Sequence, residues 1–110
     1  TEIAIARAII QVPARAKRGD VIELRALIGH VMETGFRRTE SGALVPRDII
    51  RQLVCAYNGT EVFRADFHPA IAANPLISFT TVATESGRIE FRWTGDNDFS
   101  ATEAAQITVE

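Results

Sequence analysis

The chain has 110 residues, 46% of them hydrophobic, with 12 basic against 14 acidic side chains and a formal net charge of −2. This length fits one domain over residues 1–110, with enough apolar content for a core without disulfides. The balance of charge leaves no field for nucleic acid or an anionic membrane, and no apolar run reaches the roughly 20 residues of a membrane span.

In chain order, a first strand is expected over residues 4–12, and the Gly19-Asp20 pair in "AKRGDVIEL" turns the chain into a second over 21–30. Residues 32–48 show no period, contain Gly35, Gly42 and Pro46, and form the longest irregular connection, where small β-domains place recognition. "IIRQLVCAY" and "TEVFRADFHP" flank Asn58-Gly59 and are expected to pair as a hairpin; Phe63, Ala65 and Phe67 take one face, Val62, Arg64 and Asp66 the other. "PAIAANP", between Pro69 and Pro75, has room for one helical turn. Its alanines with Ile71, Leu76 and Ile77 make an apolar surface for a partner, or else a plug for one end of the fold.

A strand follows over 77–83, and "TESGRIE" turns into "GRIEFRWTG", where Ile89, Phe91 and Trp93 alternate with Arg88, Glu90, Arg92 and Thr94 as in a half-buried antiparallel strand. The last strand is expected over 104–109. The pattern predicts an all-β fold, an immunoglobulin-like β-sandwich of about seven antiparallel strands, without the Cys…Trp…Cys spacing of antibody domains.

Cys55 is the only cysteine, so an internal disulfide is excluded. In "LVCAY" it reads as a small core residue; the alternative is a reactive thiol. His30, Met32, Cys55 and His68 are the residue types that suit copper, but the paired spacings of metal sites are missing. The plainer reading has the histidines at strand ends bonded to backbone and Met32 filling a gap. For nucleophilic catalysis Cys55, Asp66 and His68 are the right types, yet alternation puts Asp66 and His68 on the face away from the core, and an apolar strand raises a thiol's pKa. No catalytic residue, metal or cofactor is expected. Arg37, Arg38 and Arg47, with Lys17 and Arg18, are the local basic clusters: a solvated surface, or guanidinium groups for a partner's carboxylates.

The stretches "METGFRR", "PRDII", "YNG", "FHPAIAANP" and "ATESG" stand in an order and spacing that resembles the SoxZ family, over nearly the whole chain. One departure is Val31, where the family has proline after the histidine. The resemblance implies an immunoglobulin-like, non-catalytic subunit that forms a heterodimer with SoxY, whose C-terminal cysteine arm carries thiosulfate-derived sulfur in the periplasm. It also implies transient docking to SoxXA-, SoxB- and SoxCD-like enzymes. The first residues show no basic stretch leading into an apolar run and a cleavage site, so export is expected to proceed bound to SoxY. The length and composition of the irregular connection make Met32, Phe36, Arg37, Arg38, Arg47 and Asp48 the expected partner-binding residues: Met32 and Phe36 for apolar contact, Gly35 for the turn, the arginines for a charged rim.

Overall fold

The computed structural model describes residues 8–29, 32–68 and 74–110. Among these residues are eight strands: β1 (Ala8–Gln11), β2 (Arg15–Ala16), β3 (Val21–Ile28), β4 (Ile50–Tyr57), β5 (Thr60–Asp66), β6 (Leu76–Val82), β7 (Gly87–Gly95) and β8 (Ser100–Val109). They form two sheets, ordered β1-β3-β6 and β2-β8-β7-β4-β5. The all-β sandwich is as expected. Two details differ from an array of about seven antiparallel strands: β2 is an additional strand, and it pairs parallel to β8.

The reason for β2 is Pro13, which cannot donate to a ladder; the first strand ends at Gln11, just ahead of it. The chain then leaves the three-stranded sheet, and Thr108 and Glu110 donate their backbone N–H to Ala14 and Ala16 carbonyls at 2.9 and 3.0 Å. The expected beginning of the first strand, residues 4–7, lies outside the described residues, as do His30, Val31 and the proposed helical turn at 69–73.

Period-two alternation generates the core. On β3, Ile22, Leu24, Ala26 and Ile28 are buried while Val21, Glu23 and Arg25 are exposed; on β7, Ile89, Phe91 and Trp93 face inward. Burying side chains of this size from both sheets is the main favourable term in folding, about 1.5–3 kcal/mol for each large one. Phe63 of β5 stacks on Phe79 of β6 with ring centroids 4.0 Å apart, joining the sheets, and the aromatic series continues through Phe91 to Trp93. The Trp93 indole N–H finds no acceptor among the described residues.

The hairpin between β4 and β5 turns at Asn58 (φ 50°) and Gly59 (φ 83°), both left-handed, as a two-residue type I′ turn requires. Asn58 also joins the turn to β7. Its Oδ1 accepts from Arg88 N at 2.9 Å and its Nδ2 donates to Ser86 O at 3.3 Å. Gly87 makes room for that side chain, since a Cβ there would lie 1.7 Å from Asn58 Oδ1.

A clamped loop as candidate partner-binding site

The connection from β3 to β4 is irregular in sequence but not in hydrogen bonding. Glu33 and Asp48 exchange backbone hydrogen bonds at 2.8 Å each way, and Arg38 faces Leu44 in a second antiparallel bridge. Between them Val45 N donates to Arg37 O, and beyond them Thr39 N donates to Ala43 O, both at 2.8 Å. The result is a two-armed excursion with its tip near residues 39–43, and ladder and turn bonds satisfy backbone groups that an open loop would leave to water.

Three charged contacts fix its shape. Arg37 donates to both carboxylate oxygens of Glu33 within one arm, Nε at 2.8 Å and Nη2 at 3.0 Å. Arg38 Nη1 donates to Gly42 O at 2.7 Å across the tip. Arg47 makes the third contact, a two-pronged pair with Asp96 of the β7–β8 turn, Nε to Oδ2 at 2.8 Å and Nη2 to Oδ1 at 2.9 Å. Asp96 also accepts from Ile49 N at 3.2 Å, and Arg51 Nε stands 3.4 Å away. A carboxylate held this way favours its charged form: hydrogen bonding from Arg47, helped by the Ile49 N–H and by the charges of Arg47 and Arg51, holds Asp96 below its ordinary range. Arg37 does the same for Glu33. Backbone contact reinforces the third clamp, because Gly95 lets its strand approach Ile49 so closely that a Cβ would sit 2.5 Å from the Ile49 carbonyl.

The six expected contact residues therefore fall into different places. Phe36 is 82% exposed, and Arg38 lies at the surface beside an exposed Leu44 that sequence reasoning did not single out. Arg37 and Arg47 are exposed in part, but each already holds a carboxylate. Asp48 supports the arm through its backbone. Met32 is a correction: it is only 4% exposed and belongs to the hydrophobic core. Its positive φ of 53° turns the chain at the root of the loop, and its sulfur accepts from Ile50 N at 3.3 Å. Period two carried on from Ile22, Leu24, Ala26 and Ile28 also points Met32 inward, a signal that reading the stretch as a recognition loop passed over. Glu33, Asp96 and Leu44 are the residues missed; only the glycine before Asp96 in "TGDND" hinted at a tight turn there.

Among the described residues the other candidate chemistry is not assembled; His30 lies outside them. Cys55 is fully buried between Phe63 and Phe91 on the neighbouring strands, and burial pushes its thiol up to about 12. His68 is exposed, and Asp66 accepts from Gln52 Nε2 at 3.1 Å, so neither forms a relay with the thiol. Among the described residues no group of three or more His, Cys, Asp or Glu is placed to hold a metal ion. A depression of about 550 Å³ on the outer face of the five-stranded sheet is lined by Val54, Ala56, Arg64, Glu90 and Arg92. Its arginines are engaged with Glu61 and Glu90, which leaves a salt-bridged, solvated surface whose lining holds no cysteine, serine or histidine. No helix of the described residues is long and apolar enough to cross a membrane.

Fold and site together define a β-sandwich that presents a braced loop and holds its thiol out of reach. Similar solved structures agree on the fold. A putative superoxide reductase from Thermotoga maritima matches with a TM-score of 0.72 at 18% identity, covering 94% of this chain and 85% of that one. A superoxide reductase (neelaredoxin) from Ignicoccus hospitalis matches at 0.67 and 20%, covering 94% and 80%. The sulfur carrier protein SoxY from Chlorobium limicola f thiosulfatophilum matches at 0.65 and 10%, covering 94% and 78%. At these identities the likeness conveys architecture alone. No curated protein matches by sequence. The model of the family described as sulphur oxidation protein SoxZ matches residues 10–106, and the chain belongs to that family.

Proposed function

We propose that this chain is the non-catalytic subunit of a SoxY–SoxZ heterodimer, in which covalently bound sulfur intermediates ride on a cysteine arm of the SoxY-like partner between periplasmic Sox enzymes. The observation that carries the reading is the state of Cys55. A group that bonds covalently to oxidised sulfur must reach solvent as a thiolate, and the one cysteine of this chain is buried in the core with its pKa raised to about 12. The covalent work then falls to another chain, and this one contributes surface.

The loop from Met32 to Asp48 is the surface proposed for that partner or for the docking enzymes. Its contact residues are Phe36, Arg38 and Leu44, with Arg37, Arg47 and Asp48 acting mainly to hold the loop and Met32 anchoring it from beneath. An exposed phenylalanine and an exposed leucine on one loop that also carries guanidinium groups have the aromatic and arginine character of an interface centre. The intact complex, incubated with thiosulfate and the other Sox enzymes and measured by mass spectrometry, tests the reading. A sulfur adduct on the partner and none on this chain is expected. An adduct on Cys55, or failure to form any complex with a SoxY-like chain, overturns it. Phe36→Glu with Leu44→Lys is expected to weaken the complex or its turnover at least about tenfold while leaving the fold intact.

A further inference from the structure

The free edge of β6 is long and unprotected. β6 reads "LISFTTV": seven residues with no charge, no proline and no glycine. Among the described residues it is hydrogen-bonded along one side only, to β3, in unbroken antiparallel register from Leu76 to Val82. β5, the neighbouring edge of the other sheet, carries Glu61, Arg64 and Asp66, the usual protection of an exposed edge. β6 has none of these protections. We infer that β6 is the interface with a second copy of this chain, the two β6 strands pairing antiparallel about a two-fold axis at Phe79.

The backbone phase selects that register. Ile28 N donates to Pro75 O, so antiparallel alternation turns the polar backbone groups of Ile77, Phe79 and Thr81 toward β3. Those of Leu76, Ser78, Thr80 and Val82 therefore point to the open edge. Centring the pair on Phe79 sets Leu76 against Val82 and Ser78 against Thr80, and then the same again in reverse. It is the one register that pairs all four free positions, each exchanging both backbone bonds.

The side chains agree with the backbone. The same four residues are the exposed ones of β6, so apolar meets apolar and hydroxyl meets hydroxyl on the outer face. Within one copy Leu76 lies next to Leu27 and Leu27 next to Ile9, while Val82 lies next to Val21. Pairing joins these pieces into a continuous row, Ile9, Leu27 and Leu76 of one copy followed by Val82 and Val21 of the other, and a second identical row runs the opposite way. Ile9, Val21, Leu76 and Val82 are all exposed large hydrophobics in the single chain, and the pairing gives them one common arrangement. On the inner side Phe79 meets its own copy where Phe63 already stacks. An interface that is its own complement is what a two-fold dimer requires. The inference goes beyond the proposed sulfur-carrier role and does not rest on it.

Sedimentation velocity on the purified full chain tests it with a charge swap that reads the register. Ser78→Lys with Thr80→Lys sets lysine against lysine twice across the axis, and is expected to weaken a wild-type dimer by about tenfold or more. Ser78→Lys with Thr80→Glu sets lysine against glutamate twice and restores it; because both variants alter the same two exposed positions, the second also controls for folding. A monomeric wild type at about 100 µM overturns the inference, since dissociation constants of stable self-pairing lie well below that. So do two variants of equal self-association, and so does a chain whose β6 amides gain hydrogen-exchange protection only when a different partner protein is added.

Discussion

Met32 offers the sharpest check on how the loop is built, because surface and core placement predict opposite outcomes. Truncation by Met32→Ala removes three heavy atoms beyond Cβ from a site only 4% exposed. At about 0.8 kcal/mol for each buried group the transfer cost is about 2.4 kcal/mol. If the walls collapse only in part, a residual cavity on the order of 50 Å³, at about 24 cal/mol per Å³, adds about 1 kcal/mol. The Ile50 N–H also loses its sulfur acceptor. The expected total is about 3–4 kcal/mol, a large share of a small domain's 5–15 kcal/mol, and a midpoint lower by roughly 12–20 °C. Phe36→Ala, at a position 82% exposed, is expected to stay within about 0.5 kcal/mol of the parent. Urea unfolding of the two variants, followed by Trp93 fluorescence, measures both. A cost below about 1 kcal/mol for Met32→Ala, or equal costs for the two, refutes the core placement of Met32 and with it the anchoring of the loop.

Asp96→Asn is expected to cost about 1 kcal/mol near pH 6, since Arg47 is half exposed and part of its pair is screened by water. The sign of its pH dependence is fixed: a carboxyl whose folded pKa lies below its ordinary 3.8 stabilises the fold above that value and loses the contribution as pH falls through the folded pKa. The gap between parent and variant in chemical denaturation should therefore close in strong acid; a constant gap counts against the clamp. Cys55 is expected to be inert to iodoacetamide near pH 8, where a pKa of about 12 leaves on the order of one thiolate in ten thousand, and to react at once in urea; rapid labelling of the native chain would contradict its burial. Asn58→Ala removes hydrogen bonds to Arg88 and Ser86 and leaves alanine at a φ of 50°, for an expected loss of about 2 kcal/mol by thermal unfolding. A glycine in its place should recover the part due to φ and not the rest.

The strands that could be read in advance are those with one wet face. Ile89, Phe91 and Trp93, or Ile22, Leu24 and Ala26, announce themselves because burial on one side imposes period two. β8 begins at Ser100 rather than at residue 104 because Ser100, Thr102 and Glu103 pair with β7 through backbone bonds that need no apolar side chain. β2 left no trace for the same reason: two residues, held by a partner near the other end of the sequence, carry no pattern. In the site, the arginines and Phe36 stood out by type, whereas the roles of Met32 and Asp96 depend on a positive φ and on a turn nearly fifty positions away. Periodicity reports which way a strand faces. It is silent on where a loop is fastened.

That fastening bears on what the loop can do. A surface loop that orders only on binding loses conformational entropy of about 1–2 kcal/mol for each residue it fixes, and the interface must offset that loss before any affinity remains. Here the ordering is already done within the chain itself. Met32 roots one arm in the core, Arg47 fastens the other to Asp96, and Glu33 and Asp48 bond the arms to each other. All three loop arginines are thus engaged in holding the loop, Arg38 through the Gly42 carbonyl at the tip, and the large apolar side chains left outward are Phe36 and Leu44. A partner meeting that tip would find apolar area on a frame that does not need to be organised. In the proposed role the thiol sealed between two phenylalanines takes no part, and such a rigid surface is what this small sandwich would lend to its partner.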